Sequence, residues 1–400
     1  MKNLIFFDDD ARDHLLPLTY TRPVCELRVG ILTIREKWEL LLGGTGSFVT
    51  QDYLSDKYDI AISEVNYMIN GAVLPDENLL DIIENLRGNE AIIENGSLVA
   101  ARLDRMEFEH LINDTGENTF TGIELELGSV RRIQHPYDIF GRNDQEIRND
   151  FAMLTHERIS QPLSDTNRII GRLDQLFIEA GASIEGAILN VTDGPIYIGK
   201  NATVMEGCLV RGPFALCHDA TLKMGAKIYG ATTVGPHSKV GGEVNNSVIT
   251  GYSNKGHDGF LGNSVLGEWC NLGADTNNSN LKNNYGEVKL WSYVQERFAP
   301  TGLRFCGLIM GDHSKAGINT MFNTGTVVGV GCNIFGADYV RNFVPSFSWG
   351  GAGKIMTHQT EKAIETAEIV MERRSMELTP HDRLILMRVF EEDARYRRWE

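Results

Sequence analysis

The chain has 400 residues, with 38 Lys and Arg against 54 Asp and Glu and a formal net charge of −16. Acid in this excess repels phosphate backbones and anionic lipid surfaces, which excludes nucleic acid and membranes as expected partners. At 42% hydrophobic and 23% charged residues, the composition is that of a globular protein long enough for two domains and an appendage.

The opening MKNLIFFDDDARD is a short apolar run closed at once by acid, so no secretory signal is expected. No stretch reaches the ~18 apolar residues of a membrane span. The six cysteines show neither a CxxC pair nor a histidine-spaced cluster, and are read as reduced core filler in a cytoplasmic protein.

Residues 1 to about 160 alternate strand and helix patterns. LIFF predicts a buried strand, ILTIREKWELLL an amphipathic helix, and NYMING followed by PDENLLDIIENL a strand, a turn and a helix with an acidic start. AIIENGSLVAARL predicts a hairpin turning at Asn95–Gly96. This alternation predicts a mostly parallel sheet with helices on its faces. Ligands of such sheets lie beyond the carboxyl ends of strands, which singles out the segments after Phe7 and after Ile69.

A six-residue period follows. Ile198, Val204, Val210, Leu216, Leu222, Ile228, Val234 and Val240 recur without a break, and Met310, Ala316, Phe322, Val328, Ile334 and Val340 repeat the pattern. Neither helix nor ordinary strand has this period. It belongs to a parallel β-helix, whose triangular coil has three flats with one apolar residue per flat pointing inward. The repeats are expected from about Ile184 to Val344. The register slips by two at GGEVNN, resumes through Phe260, Leu266 and Leu272, and is lost between Asn277 and Met310. After Gly350, KAIETAEIVMERR and HDRLILMRVFEEDARYRRW predict two helices. The first has an apolar face of Ile364, Ala367, Val370 and Met371.

The interruptions bracket the segment richest in chemistry. His257 stands between glycines beside Lys255 and Asp258, with Asn271, Asn280, Lys282 and Tyr285 downstream and Glu243 in the slip before it. One full coil, made of three hexapeptides, would set His257 beside Asp275. Acyl transfer to a sugar amine needs such parts. An imidazole titrates near neutral pH and can take the proton of an attacking amine. Asparagine and lysine side chains hold hydroxyls and phosphate, and no covalent nucleophile is required. His257 is the candidate general base; Lys255, Asn271, Asn280, Lys282, Tyr285 and Glu243 are the candidate substrate contacts. His237 and His313 fall on outward slots of regular repeats and are read as structural.

The stretch VGGEVNNSVITGYSNKGHDGFLGNSVLGEWCNLGADTNNSNLKN resembles the β-helix of GlmU-type bifunctional enzymes, which join a sugar-1-phosphate nucleotidyltransferase domain to a left-handed β-helix acetyltransferase. By that resemblance His257 falls on the catalytic base, and Asn271 and Asn280 on the acetyl-acceptor site. Phe260 stands where the relatives have tyrosine, and His218 where they have arginine after the shared GPFA. The N-terminal half is similar more loosely. LLPLTYTRP keeps the second part of the family's signature, but DDDARD replaces the glycine-rich loop, Val24 the following lysine and Ala72 the metal-binding aspartate.

The resemblance implies an α/β nucleotidyltransferase-like (Rossmann-like) domain at 1–165, a left-handed parallel β-helix at 166–350 and a helical segment at 351–400. It implies acetyl transfer from acetyl-CoA to an amino-sugar-1-phosphate such as glucosamine-1-phosphate. Nucleotidyl transfer to the sugar phosphate, of the UDP-N-acetylglucosamine type, would follow, and the expected assembly is a homotrimer. The expected partners are sugar phosphate, nucleoside triphosphate and acetyl-CoA. Arg12, Arg22, Lys37, Asn70 and Gly71 are the candidate nucleotide contacts, and Asp8 and Asp10 the candidate Mg²⁺ ligands. Three alternatives stand beside this reading: a nucleotidyltransferase on a structural β-helix, an acetyltransferase with a degenerate nucleotide domain, or a non-catalytic trimer that binds a nucleotide sugar.

Overall fold

The computed structural model describes residues 1–113 and 121–399. They form two compact units. The first comprises Met1–Leu15, Arg22–Leu27 and Leu32–His135, and the second Leu16–Thr21, Arg28–Ile31 and Pro136–Glu400.

The first unit is built on a six-stranded sheet. Its strands are β1 (Lys2–Phe7), β2 (Gly44–Val49), β3 (Val65–Asn70), β4 (Glu90–Glu94), β5 (Ser97–Asp104) and β6 (Thr121–Leu125), in the order β2-β1-β3-β5-β4-β6. Its helices are α1 (Ala11–His14), α2 (Ile34–Leu42), α3 (Asp52–Ser55), α4 (Glu77–Glu84) and α5 (Arg105–Asn113). Leu4, Ile5 and Phe6 of β1 are fully buried, as a central strand requires. Thr33 and Glu36 form a reciprocal capping box at the start of α2, and Asp76 caps α4 by accepting from Leu79 N at 2.9 Å.

The strand-helix alternation predicts a mostly parallel sheet, but the sheet is mixed. β1 runs parallel to β2 and β3, while β5 runs antiparallel to both β3 and β4. The hairpin between β4 and β5 causes the reversal. Asn95 (φ 51°) and Gly96 (φ 76°) both take positive φ, the twist-matched turn that this dipeptide favours.

The second unit is a parallel β-helix with three flats. Flat 1 is a six-stranded sheet from Arg168–Ile170 to Phe260–Gly262, flat 2 a nine-stranded sheet from Leu176–Ile178 to Phe343–Val344, and flat 3 a ten-stranded sheet from Ser183–Ile184 to Ile355–Thr357. Its strands are parallel except for the last, which pairs antiparallel with Ser348–Gly350. The eight residues of the unbroken period, from Ile198 to Val240, are at most 2% exposed. Each contributes roughly 1.5–3 kcal/mol by burial. The coil begins at Arg168, before the first clear repeat at Ile184.

Past Val240 the register departs from the sequence reading in a definite way. Val240 stacks on Lys255 and Asn254 on Asn271, so both coils fall short of three full hexapeptides, the first by half a hexapeptide and the second by a single position. Leu261, not Phe260, faces the core at 1% exposure, and Leu266 and Leu272 follow it. Among the described residues the excursion after Ser279 contains an antiparallel hairpin of Lys289–Ser292 and Arg297–Pro300. The chain returns to the coil where Cys306 N donates to Asn280 O at 2.9 Å.

Three helices belong with this unit: α6 (Pro136–Thr155), α7 (Thr360–Glu372) and α8 (Pro380–Glu392). Asn143 and Asp150 on α6 hold the short segment Arg28–Ile31, accepting from Gly30 N at 2.8 Å and Ile31 N at 2.7 Å. On α7 the buried stripe is Ala363, Ile364, Ala367 and Met371, so Ala363 takes the place the spacing gave to Val370. All six cysteines are buried and unbridged.

Candidate functional site

His257 sits on the corner that joins flat 3 to flat 1. In the coil below, two residues, Gly241 and Gly242, turn this corner between Val240 and Glu243. In the His257 coil four do so, Gly256 to Gly259, between Lys255 and Phe260. The added length leaves His257 and Asp258 exposed, while backbone bonds still tie the two corners together: Gly241 N donates to Lys255 O at 2.7 Å and Glu243 N to Gly259 O at 3.2 Å. The next coil up copies the longer corner, with Asp275 N on Asp258 O at 3.0 Å. Because this coil is one position short of three hexapeptides, Asp275 stacks on Asp258 and not on His257.

Lys255 occupies the inward slot between Val240 and Leu272 and is 2% exposed. Its Nζ donates to Gly241 O at 3.0 Å and to His257 O at 2.7 Å. Burial pushes its pKa down to about 8, against the opposing pull of Asp258 and Asp275. Its place is therefore inside the coil, where it anchors the backbone of the exposed histidine.

The asparagines bring out a feature that the sequence reading missed. Between Phe260–Gly262 and the strand above it, Asn277–Asn278, side chains replace the backbone ladder. Asn277 Oδ1 accepts from Phe260 N at 2.7 Å, Asn278 Oδ1 accepts from Gly262 N at 2.9 Å, and Asn278 Nδ2 donates to Gly262 O at 3.1 Å. Flat 1 is thus opened by about one side chain beside His257. The available signal was Asn278 itself, an amide one hexapeptide after Leu272 where the period calls for an apolar residue. Asn280, just beyond, donates to Asn263 Oδ1 at 2.8 Å. Asn271 pairs in register with Asn254 and Lys315 on flat 3. One coil up, Asn271 and Asn280 therefore flank the His257 corner, each on a different flat.

The other candidates lie apart. Glu243 accepts from Tyr229 Oη at 2.5 Å, which pushes the tyrosine pKa up to about 12. It lines a groove of about 730 Å³ on flat 1 with Lys227, Arg211 and Asn245. Lys282 donates to Glu287 O at 2.5 Å within the excursion, and Tyr285 is an exposed turn residue there.

In the first unit, a cleft of about 510 Å³ opens at the carboxyl ends of β1 and β3. It is lined by Asp8, Asp9 and Asp10 on one side and by Ala72, Ser97, Arg132, Gln134 and His135 on the other, with His14 between. This is the place that the strand ends predicted. Gly71 packs closely there: its N donates to Phe7 O at 2.8 Å, and a Cβ would meet Cys25 N at 3.2 Å, so a larger residue would have to push its neighbours aside. Asn70 is fully buried and donates to Asp9 Oδ2 at 2.6 Å. Arg12, Arg22 and Lys37 are all buried; Arg12 pairs with Asp13 and reaches Tyr53 Oη.

Asp8 is held by the fold of the loop, not aimed freely into the cleft. Its two oxygens accept from Val24 N at 2.9 Å and Thr50 Oγ1 at 2.6 Å, and burial pushes its pKa up to about 6. Asp9 is engaged with Ala11 N and Asn70, which leaves the exposed Asp10 of the three acids. One such carboxylate is not a prebuilt Mg²⁺ site. Sequence reasoning missed Arg132, His14 and His135, whose rings at His14 and His135 meet edge-on at 5.6 Å. The basic run RRIQH in an acidic chain was the signal for them.

Residues 4–159 match the family model described as sugar nucleotidyl transferase. A bifunctional protein GlmU from Methanocaldococcus jannaschii is 26% identical over 304 residues, covering 70% of this chain and 66% of that protein. The chain is similar to the GlmU-type proteins. A bifunctional sugar-1-phosphate nucleotidylyltransferase/acetyltransferase from Sulfurisphaera tokodaii is 28% identical over 36% of this chain and 40% of its own. These matches span less than two thirds of either GlmU-type relative. Among solved structures, a UDP-N-acetylglucosamine acyltransferase from Campylobacter jejuni covers 56% of this chain and 95% of its own at 9% identity and a TM-score of 0.32.

Proposed function

We propose that this GlmU-type chain is a transferase of sugar-nucleotide synthesis whose β-helix acetylates an amino-sugar-1-phosphate from acetyl-CoA. The observation that carries the reading is the His257 corner, an exposed imidazole on a lengthened turn whose backbone is pinned by Lys255 and which Asn271 and Asn280 flank. The amine nitrogen attacks the thioester carbonyl, and His257 takes the proton that the nitrogen loses. The C–S bond then breaks, CoA leaves as the thiol on regaining that proton, and the amide remains. The asparagines beside the corner would hold sugar hydroxyls by exchanging their present partners, Asp275 O for Asn277 Nδ2 and Asn263 Oδ1 for Asn280 Nδ2.

The first unit would then join the sugar phosphate to a nucleoside triphosphate. A phosphate oxygen attacks the α-phosphorus and pyrophosphate leaves. Arg132, His14 and His135 are the cleft's cationic and donor groups for the phosphates. A second reading, acetyltransferase activity beside a cleft that binds a nucleotide without transferring it, is favoured by Asp8 and Asp9 being tied down. Pyrophosphate release from nucleoside triphosphates with sugar-1-phosphates separates the two readings; its absence at high enzyme concentration leaves only the second.

Copies of the chain would assemble as a trimer in the cytoplasm, packing along flat 1. There Ile188 stacks on Leu209 in one outward column, and Ile170 and Tyr229 stand in the neighbouring column with Asn190 and Arg211 between them; the four apolar residues are 37–48% exposed. An exposed apolar patch of this kind marks an interface, and it would place Glu243 between subunits.

A further inference from the structure

A second cluster lies on another corner of the coil, between flats 2 and 3. Asn201, Asp219, His237, Tyr252, Trp269 and His313 hold the same place in six successive coils, each with φ between 51° and 60°. Asparagine, aspartate and histidine are enriched in this left-handed backbone among non-glycine residues, whereas bulky residues such as tyrosine and tryptophan take it rarely. The aromatic members form a stack: His237 on Tyr252 at 4.8 Å, Tyr252 on Trp269 at 4.3 Å. The His237 ring is therefore fixed in plane. Its Nε2 faces Asp219 Oδ2 at 4.0 Å, and His218 Nδ1 reaches the same oxygen at 3.0 Å. The three donor atoms all lie within 4.8 Å of one another, the one such grouping of three among the described residues. The other carboxylate oxygen of Asp219 is oriented by Asn201 Nδ2 at 3.3 Å.

We propose that His218, Asp219 and His237 bind one divalent transition-metal ion of the zinc class. Two imidazoles and a carboxylate are borderline donors that suit Zn²⁺ or Co²⁺ better than Mg²⁺ or Ca²⁺. Donors around a tetrahedral ion at 2.0–2.2 Å stand about 3.3 Å apart. The observed 3.0 and 4.0 Å reach that spacing through small side-chain rotations, chiefly of the half-exposed His218. Asn201 serves as the outer partner that holds the ligating carboxylate. Two donors come from one coil and the third from the next, so the ion clips adjacent coils and keeps an open position for water or a small anion. Arg374 is the nearby opposing charge; its Nη1 donates to His237 O at 3.0 Å, on the backbone side of the residue.

The test uses the metal-free full chain. Titration with Zn²⁺ should show one equivalent bound with a Kd below about 10 μM, and Co²⁺ should give visible bands of a low-coordinate nitrogen–oxygen site. His237→Asn and Asp219→Asn keep residues at ease in the left-handed region, and with His218→Ala each should weaken binding by about 100-fold or more. His156→Ala, in an exposed histidine elsewhere, should leave it unchanged. Circular dichroism checks that each variant is folded. Absence of a Co²⁺ spectrum in the wild-type chain, or Zn²⁺ affinity unchanged in the three folded variants, overturns the proposal.

Discussion

Lys255 carries an ammonium group into the slot that Val240 and Leu272 occupy in neighbouring coils, and two carbonyl oxygens receive it there. Because its folded pKa of about 8 lies below its ordinary 10.5, the unfolded chain binds more protons between those values. Stability should therefore rise with pH across that window, by up to about 1.4 kcal/mol per unit. Lys255→Met should remove that rise in urea unfolding measured from pH 7.5 to 10.5, and should also free the His257 carbonyl; an unaltered slope would mean that the ammonium is not where the structure puts it. The sequence marked Lys255 as a neighbour of His257 but not as its anchor. A period written in apolar residues does not register a lysine that fills an apolar slot. The same blindness hid Asn278. Asp8, by contrast, was visible as one of three acids, but only the fold reveals that Val24 N and Thr50 Oγ1 each donate to one of its oxygens.

At the scale of elements, the corner that presents His257 depends on close stacking as much as on length. Gly259 has φ 117°, and a Cβ there would lie 2.2 Å from Thr276 O in the coil above. Gly259→Ala should cost roughly 1–3 kcal/mol in thermal or urea unfolding and should lower acetyl transfer more than CoA binding, since the corner has to shift. Equal stability and turnover would show that the corner tolerates movement. The slip at GGEVNN was legible as a break in period, and the pairing register explains it as a coil shortened by half a hexapeptide. Counting full hexapeptides around the coil misplaced Asp275 by one position, and counting along the flat put Phe260 where Leu261 belongs. Corners absorb insertions without disturbing the stack, so a fixed count fails where function has altered them. In the first unit the helices and strands were legible from caps and apolar runs, while the mixed pairing was not, because strand direction is set by which edge a hairpin joins.

For the whole molecule, assembly through flat 1 requires that its exposed apolar residues be covered. Leu209, 48% exposed in the single chain, should be a sensitive reporter. Leu209→Glu should convert a trimer to monomers in sedimentation while the coil remains folded, and a wild-type monomer would remove flat 1 as the interface. The two units make separable claims, since the cleft of the first is judged by pyrophosphate and the corner of the second by CoA. The most direct measurement is CoA thiol release from acetyl-CoA with glucosamine-1-phosphate, compared between the wild type and His257→Ala. A general base at His257 means a loss of about 10²–10⁴-fold with acetyl-CoA affinity retained; turnover equal to that of the wild type would remove His257 from the chemistry.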